Sequence, residues 1–333
     1  MNMYYLGIDV GSVSTNLVLI DEKLKVVKKL YIRTKGQPIV VLKEGLRLLR
    51  EEMDDFGILG VGTTGSGRQL AGVMVGADVV KNEITAHAVA AMECCPDVKT
   101  ILEIGGQDSK IIIIRDGIVY DFAMNTVCAA GTGSFLDRQA ARLNIPISEF
   151  GKLALKSTTP VRIAGRCAVF AESDMIHKQQ TGQNIEDIIN GLCEALVRNY
   201  INNLCKGKEI LPPVVFQGGV AANVGIKAAF ERELGLEIIV PEHFDVMGAL
   251  GAAILAKEEV EKTGKTGFYG FDLVNIEYKA KSFECKDCSN MCEVIEILAE
   301  DSPIARWGDR CGKWCSKIQK ADINITSFKM QKV

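Results

Sequence analysis

Short apolar runs separated by polar turns fill the first 35 residues of the chain. Residues 4–10 end in Asp9-Val10-Gly11-Ser12, and two more apolar runs follow at 16–20 and 24–34. Runs of this length, bounded by glycine and charged turns, are typical of β-strands joined in series. From 38 to 53 the apolar residues recur at three- and four-residue spacing, which predicts a helix after the three strands.

The same order of elements begins twice along the chain. A fourth strand at 58–61 ends in the glycine-rich stretch 62–67, and an alanine-rich segment at 84–94 predicts a helix. Three strands and several helices then follow again, with a further buried strand at 214–217. We therefore predict an α/β fold built from two similar units. The other predicted elements of the second unit are strands at 101–104, 110–114 and 118–122, and helices at 133–143, 168–180, 184–206, 223–234 and 245–262.

The composition changes after residue 262. The segment 263–267 alternates glycine with polar residues and predicts a linker, and the 66 residues after it carry five of the 11 cysteines and both tryptophans. The predicted domains are a first subdomain, a second subdomain and a small cysteine-rich C-terminal module. Their expected limits are 1–98, completed by the helix at 245–262, then 99–244, and then 263–333.

Composition and charge narrow the class of protein. The 333 residues are 47% hydrophobic and 24% charged, which is typical of a globular protein and excludes disorder as the dominant state. A net charge of −3 gives no electrostatic reason to expect nucleic acid or a membrane surface as a partner. Without a secretory pattern or a membrane-length apolar run, we expect a cytoplasmic protein with reduced cysteines. With three histidines available, metal sites would rely mainly on sulfur.

Three glycine-containing turns directly follow predicted strands. Glycines let backbone amides approach phosphate oxygens, and a helix that starts after a glycine turn offers unpaired amides to an anion. An aspartate at a strand end can hold Mg²⁺, which then bridges phosphates. The turns therefore predict a nucleotide site. Its candidate residues are Asp9, Gly11, Ser12, Ser14 and Thr15 in the first turn, Gly105, Gly106, Gln107, Asp108 and Lys110 in the second, and Gly218, Gly219 and Asn223 in the third.

Charged residues near these turns allow two interpretations each. Lys110 is either a phosphate contact or a solvated lysine on a strand. Glu83 and His87 lie four residues apart on one face of a predicted helix. They either polarise the cleft or form a structural pair.

Two cysteines, Cys128 and Cys167, each stand just before a predicted helix, after a turn of small residues. A helix N-terminus favours a thiolate, and its free amides also favour the negative charge of a thiolate-bound iron–sulfur cluster. The alternative is that both are small buried apolar residues. Two thiolates cannot hold a four-iron cluster, which needs four, but a symmetric dimer would supply them.

The C-terminal module has a second cysteine pattern. Cys285-x-x-Cys288-x-x-x-Cys292 is followed after 18 residues by Cys311-x-x-x-Cys315. Such spacing predicts a Zn or Fe–S site with Cys285, Cys288, Cys292 and Cys311 as candidate ligands. The alternative is a set of reduced cysteines in a small β-rich module. The other cysteines, Cys94, Cys95, Cys193 and Cys205, are expected to be fillers.

The three turns resemble the two phosphate motifs and the adenosine motif of the superfamily of acetate and sugar kinases, heat-shock chaperones and actin. The segments that carry the resemblance are 7–15, 104–108 and 217–221, and the Walker-type P-loop is absent. The resemblance implies two ribonuclease-H-like, actin-like ATPase domains with ATP in the cleft between them.

The cysteine turns resemble one family within this superfamily, the activators, or ATP-dependent reductases, of 2-hydroxyacyl-CoA dehydratases. That family also includes ATPase components of benzoyl-CoA reductases. Residues 125–133 and 165–174 carry the resemblance, 62–68 and 82–88 fit it as well, and the whole covers about residues 3–258. It implies a homodimer with one [4Fe–4S] cluster between the subunits, ligated by Cys128 and Cys167 of each chain.

The resemblance also implies a mechanism and partners. Asp9 and Asp108 would position Mg²⁺ and water, with Gln107 beside them, while ATP and ADP bind along the glycine turns. An electron would arrive from ferredoxin or flavodoxin and pass to an iron–sulfur enzyme. That acceptor would be a 2-hydroxyacyl-CoA dehydratase, a benzoyl-CoA reductase core or a double-cubane-cluster protein. The same fold also supports a small-molecule kinase or a non-redox ATP-dependent regulator.

Overall fold

The computed structural model describes residues 2–53, 55–159 and 161–315. Its first sheet has five strands in the order β3-β2-β1-β4-β5. The central strand β1 pairs antiparallel with β2 and parallel with β4. The strands are β1 (Asn2–Val10), β2 (Ser14–Ile20), β3 (Val26–Arg33), β4 (Phe56–Thr64) and β5 (Val79–Val80).

Three helices belong to this first unit: α1 (Pro38–Glu52), α2 (Arg68–Val75) and α3 (Glu83–Cys94). The predicted periodicity places Leu42, Leu46 and Leu49 of α1 on one face, and all three are buried. The pattern does not predict α2, because a helix of eight residues is too short to show a clear period.

The second sheet repeats the plan of the first. Its strand order is β10-β9-β6-β7-β8, with β6 central, antiparallel to β7 and parallel to β9. The predicted duplication is therefore confirmed at the level of strand order and direction. The strands are β6 (Thr100–Ile104), β7 (Ser109–Arg115), β8 (Ile118–Asn125), β9 (Val214–Gln217) and β10 (Ile238–Ile239).

Six further helices follow the strands of the second unit, and a π-helical turn at Ile201–Cys205 extends one of them. The helix at 147–154 is not predicted from the sequence, again because it is short. No helix in the part of the chain that the structure describes is long and apolar enough to cross a membrane. The helices are α4 (Gly133–Arg142), α5 (Ile147–Ala154), α6 (Ala168–Gln180), α7 (Ile185–Tyr200), α8 (Val224–Leu234) and α9 (Met247–Thr263).

Helices α3 and α9 lie between the two sheets. One hydrophobic cluster joins Val18 of β2 and Ile112 of β7 with alanines of both helices. The backbone of α9 comes unusually close to the first sheet: a Cβ at Gly7 would lie 1.8 Å from the Ala249 carbonyl oxygen, and one at Gly62 would lie 2.0 Å from that of Ala252. Glycine at these strand positions lets the helix pack directly on the sheet.

The tail forms a three-stranded antiparallel sheet in the order β11-β12-β13. The apolar side of this sheet joins the hydrophobic cluster beneath the first sheet. Tyr278 is buried there, and its hydroxyl donates to the Met74 carbonyl at 3.3 Å. Where the three predicted domains begin and end stays a prediction. The strands are β11 (Tyr278–Glu284), β12 (Glu293–Ala299) and β13 (Ser302–Trp307).

Candidate functional site

The carboxyl ends of the two central strands, β1 and β6, open into one cavity between the two units. In open α/β sheets, ligands bind outside the carboxyl ends of the strands, so this is the expected place for a ligand. The cavity brings together most of the residues that the three turns contribute. These are Asp9, Gly11, Ser12, Ser14, Gly105, Gly106, Gln107, Asp108, Lys110, Gly218 and Gly219.

The first two turns close in the same way. The Gly11 amide donates to the Ser14 carbonyl at 2.9 Å, and the Gly105 amide donates to the Asp108 carbonyl at 3.0 Å. Equivalent turns between antiparallel strands therefore carry the candidate phosphate residues in both units. In the third turn, Gly218 has φ +89°, a conformation that favours glycine.

Two predicted nucleotide residues lie elsewhere. Thr15 is fully buried, and its hydroxyl oxygen lies 3.0 Å from that of Thr34, which donates to the Gly11 carbonyl. Thr15 thus supports the first turn from behind instead of lining the cavity. Asn223 lines an adjoining cavity of about 500 Å³. Its side-chain oxygen accepts two backbone amides and caps the start of α8.

The second cavity continues from the first, because Gly106, Gly219 and Phe244 line both. Its far wall is more apolar and includes Leu136 of α4 and Val224 of α8. A polar pocket rich in turn amides followed by an apolar one suits a nucleotide, with phosphates in the first and the nucleoside in the second.

Asp9 is held tightly at the end of β1. A Cβ at Gly248 would lie 2.2 Å from Asp9 Oδ2, and a Cβ at Gly65 would lie 2.4 Å from Oδ1. Burial, helped by the neighbouring Glu83 and Asp108 carboxylates, raises the pKa of Asp9 to about 7. A divalent cation would relieve this crowding of negative charge, so the site is chemically suited to Mg²⁺.

Lys110 is buried, with 2% of its side chain exposed, so the solvated-lysine interpretation is wrong. Its Nζ lies 3.0 Å from Glu83 Oε2, 2.9 Å from Glu103 Oε2 and 2.8 Å from Asp108 Oδ2. Burial lowers the pKa of Lys110, but the three carboxylates outweigh it and raise that pKa above its usual value. Burial also raises the pKa of Glu103 to about 7.

Glu83 and His87 contact residues of the second sheet. Glu83 reaches Lys110, and His87 Nδ1 lies 2.9 Å from the side-chain nitrogen of Gln217. Burial lowers the pKa of His87 to about 3, so its imidazole is neutral. Glu103 and Gln217 are not among the predicted site residues, although Gln217 begins the third turn segment, 217–221. Only the pairing of β6 with β7 and β9 brings them here.

The second phosphate turn is bonded directly to the segment that follows Cys128. The Gly133 amide donates to the Gly105 carbonyl and the Ser134 amide to the Gly106 carbonyl, both at 2.9 Å. The Ser134 hydroxyl donates to the same Gly106 carbonyl at 2.6 Å. The start of α4 is therefore fixed to the backbone that lines the cavity, five residues after Cys128.

The structure brings the Cys128 and Cys167 turns together. Cys128 Sγ lies 3.8 Å from the Arg166 carbonyl oxygen, next to Cys167 at the start of α6. Asn199 joins the two turns, because its Nδ2 donates to the Gly165 carbonyl at 2.6 Å and lies 3.5 Å from Cys128 Sγ. Both cysteines are partly exposed, so the buried-filler interpretation does not fit them.

Two further features of this region are not among the predictions from the sequence. Asn125 clamps the first turn: its side-chain oxygen accepts the Cys128 amide, and its Nδ2 donates to the Cys128 carbonyl, both at 2.9 Å. Large apolar side chains beside the cysteines face solvent, with 96% of Val127, 68% of Val169 and 65% of Phe170 exposed. An exposed apolar patch around two thiols suits contact with another protein surface.

The tail cysteines have a different environment. Within residues 2–53, 55–159 and 161–315, no three or more His, Cys, Asp or Glu side chains form a group that could hold a metal ion. Cys315 Sγ lies 2.7 Å from Asp309 Oδ1, and Cys285 Sγ lies 3.5 Å from Asp287 Oδ2. The geometry gives no support to the Zn or Fe–S ligand set Cys285, Cys288, Cys292 and Cys311, which stays a prediction.

Two equivalent five-stranded units with a nucleotide-sized cleft between them define a two-domain ATPase of the actin-like fold. Within that class, the chain belongs to the BadF/BadG/BcrA/BcrD ATPase family, whose sequence profile matches residues 6–256. The predicted family resemblance and fold class are confirmed. The match ends before the tail sheet begins.

Similar proteins match over almost their whole length. The (R)-2-hydroxyglutaryl-CoA dehydratase activating ATPase of Acidaminococcus fermentans is 37% identical over 269 residues, which cover 79% of this chain and 100% of that relative. The 2-hydroxyisocaproyl-CoA dehydratase activator of Clostridioides difficile is 36% identical, covering 79% and 98%. A solved structure titled as the Clostridium difficile activator with bound ADPNP has a TM-score of 0.69 and 34% identity, covering 79% and 97%.

Proposed function

We propose that this protein is an ATP-dependent activator that couples ATP hydrolysis to single-electron transfer onto an iron–sulfur partner enzyme. The partner would be of the 2-hydroxyacyl-CoA dehydratase, benzoyl-CoA reductase or double-cubane-cluster type. The observation that carries the proposal is the direct hydrogen bonding between the Gly105–Gly106 turn and the start of α4, next to Cys128. Relatives named as dehydratase activators support the choice of partner.

The nucleotide would bind across the two adjoining cavities. Asp9 and Asp108 would hold Mg²⁺, directly or through water, because they supply carboxylates from both units to the same polar pocket. Gln107 would orient the attacking water beside them. The remaining residues of the first two turns would bind the phosphates through their amides and hydroxyls: Gly11, Ser12, Ser14, Gly105 and Gly106. Gly218 and Gly219 would lie near the nucleoside. Asn223 would shape the nucleoside end.

The cysteine region suits a [4Fe–4S] cluster shared by two chains. One chain offers two partly exposed thiols, each directly before a helical segment. Four thiolates are needed, so Cys128 and Cys167 of two copies would complete the set in a homodimer. The [4Fe–4S] cluster would supply one-electron chemistry, with ferredoxin or flavodoxin as electron donor. The exposed Val127, Val169 and Phe170 would be covered in the assembly.

The proposed coupling between the nucleotide and the cysteine turns would pass through a few direct hydrogen bonds. Loss of the terminal phosphate would change what the Gly105–Gly106 turn binds, and that turn carries Gly133 and Ser134 through hydrogen bonds. A shift at the start of α4 moves the segment back to Cys128, which Asn199 ties to the second cysteine turn. Coupling then requires that the ATP and ADP states favour different positions of these turns.

Anaerobic purification of three variants tests the proposal. The expected result is about one four-iron chromophore per dimer, lost in Cys128→Ser and in Cys167→Ser, with ATP hydrolysis retained. Cys94→Ser is the matched control, because Cys94 is an exposed cysteine at the end of α3, outside both cysteine turns. A colourless wild-type protein with unchanged ATP hydrolysis in both variants would contradict the redox role and leave a kinase or a non-redox regulator.

A further inference from the structure

Helix α3 makes two polar contacts with the second sheet at the floor of the cleft. Glu83, its first residue, lies 3.0 Å from Lys110 of β7, and His87, one turn later, lies 2.9 Å from Gln217 of β9. The Asn82 side chain accepts the Thr85 amide at 2.9 Å and so fixes the start of the helix. These contacts join the two units across the cavity.

The three acceptors around Lys110 differ in origin. Glu103 lies opposite Lys110 in the β6–β7 ladder, and Asp108 begins the same hairpin two residues before it. Both therefore travel with Lys110 when the second unit moves. Glu83 comes from the first unit, and with 20% of its side chain exposed, it lines the cavity. Of the three ion pairs, a change in the cleft would therefore break the Glu83–Lys110 pair.

A terminal phosphate would compete for the same ammonium group. Lys110 lines the cavity together with Asp9, Asp108 and Gln107, so it borders the place where phosphate oxygens would lie. A phosphate group carries more negative charge than one carboxylate and accepts several hydrogen bonds. The pocket holds four carboxyl groups, those of Asp9, Glu83, Glu103 and Asp108, and one ammonium group, that of Lys110. A cation bound with the nucleotide would neutralise part of this excess negative charge.

We propose that Glu83 is a positioning residue that acts through Lys110: its ion pair latches the two units together without ATP, and the terminal phosphate of ATP takes Lys110 from it. This inference rests on the proposed nucleotide site and adds to it a named switch between the units. ADP lacks the competing phosphate, so the Glu83–Lys110 pair would return after hydrolysis. The neutral His87–Gln217 contact carries no charge that a phosphate could attract, so it would persist in both states.

Nucleotide binding to the full chain tests the switch. We would measure Kd for a non-hydrolysable ATP analogue and for ADP by calorimetry, in the wild type, Glu83→Gln and Glu93→Gln. Glu83→Gln removes the competing charge while keeping the shape, so affinity for the ATP analogue should rise about tenfold and that for ADP much less, within the range of ordinary coupling energies. Glu93 is an exposed residue of the same helix and serves as the matched control.

A double-mutant cycle separates positioning from a structural role. In the Lys110→Met background, Glu83→Gln should have no selective effect on the ATP analogue, because the two residues act through one contact. Equal changes in ATP-analogue and ADP affinity, or a selective effect that survives Lys110→Met, would overturn the switch while leaving the nucleotide site intact. Absence of nucleotide binding in the wild type would overturn the proposed function itself.

Discussion

Two groups of cysteines in this chain look alike in sequence and differ in structure. Cys128 and Cys167 lie 39 positions apart, yet their turns meet, and Asn125 and Asn199 hold the backbone around them. The tail cysteines are closely spaced, and the sulfurs of two of them, Cys285 and Cys315, contact nearby aspartates. Spacing in the sequence therefore does not tell which cysteine turns the fold brings together.

The physical difference lies in what surrounds each thiol. The Cys128 and Cys167 turns each begin a helical segment, and hydrogen bonds join these turns to each other and to the candidate nucleotide cavity. The tail cysteines lie at one end of the β11–β13 sheet. The apolar side of this sheet packs against the hydrophobic cluster beneath the first sheet. Hydrogen bonds link the first group to the turn that lines the cavity, and these bonds are the basis for the coupling proposed above.

The largest expected effect is on iron content. Cys288→Ser and Cys311→Ser, both at exposed tail positions, should leave the iron per dimer and the four-iron chromophore at wild-type levels, whereas Cys128→Ser should remove them. Iron and zinc would be measured on anaerobically purified protein by elemental analysis. Loss of either metal in the two tail variants would show that the tail cysteines are ligands after all and would end the contrast between the groups.

The second largest expected effect is on the free energy of unfolding and concerns how the tail sheet packs on the first unit. Tyr278→Ala removes a buried ring and its hydrogen bond to Met74, so we expect the free energy of unfolding to fall by about 3 kcal/mol. Tyr278→Phe, which removes only the hydroxyl, should lower it by about 1 kcal/mol. Denaturant unfolding would measure both, with Tyr120→Ala as control, because 75% of Tyr120 is exposed. Equal stability of Tyr278→Ala and wild type would mean that the tail does not share the core.

A smaller effect is expected from the scaffold of the first cysteine group. Asn199→Ala leaves the Gly165 carbonyl without its side-chain donor, which should lower the free energy of unfolding by about 1–2 kcal/mol and reduce the fraction of dimers with iron. Stability would be measured without iron and occupancy with it. Asn202→Ala, at an exposed position of the π-helical turn that follows, is the control for stability at this end of the helix. An unchanged iron content would limit Asn199 to a structural role.

The smallest effect concerns thiol reactivity in the tail. Its hydrogen bond to Asp309 raises the pKa of Cys315 above its usual value, so less thiolate is present at a given pH. Asp309→Asn should bring that pKa down, and alkylation of Cys315 at pH 8 should become a few-fold faster. Mass spectrometry over a pH series would follow the rate. Slower or unchanged alkylation across the series would show that Asp309 does not control this thiol.

Much of the fold follows from local pattern. Most strands of both units and the glycine turns after β1, β6 and β9 are visible in the sequence, because each depends on residues near one another in the chain. The two-residue strands β5 and β10 are not predicted. The placement of Cys128 and Cys167 before helices is predictable for the same reason. Short helices such as α2 and α5 escape prediction, since eight residues give too few turns to show a period.

The sequence by itself determined the two α/β units, the nucleotide turns and the family, because these depend on local backbone chemistry and on motifs in order. Only the tertiary structure decided what each side chain contacts. It buried Lys110 among three carboxylates, turned Thr15 behind the first turn and placed Asn199 between the two cysteine turns. It also packed the tail onto the first sheet. Such contacts join residues far apart in the chain, and strand pairing and helix packing set them, so no local pattern records them.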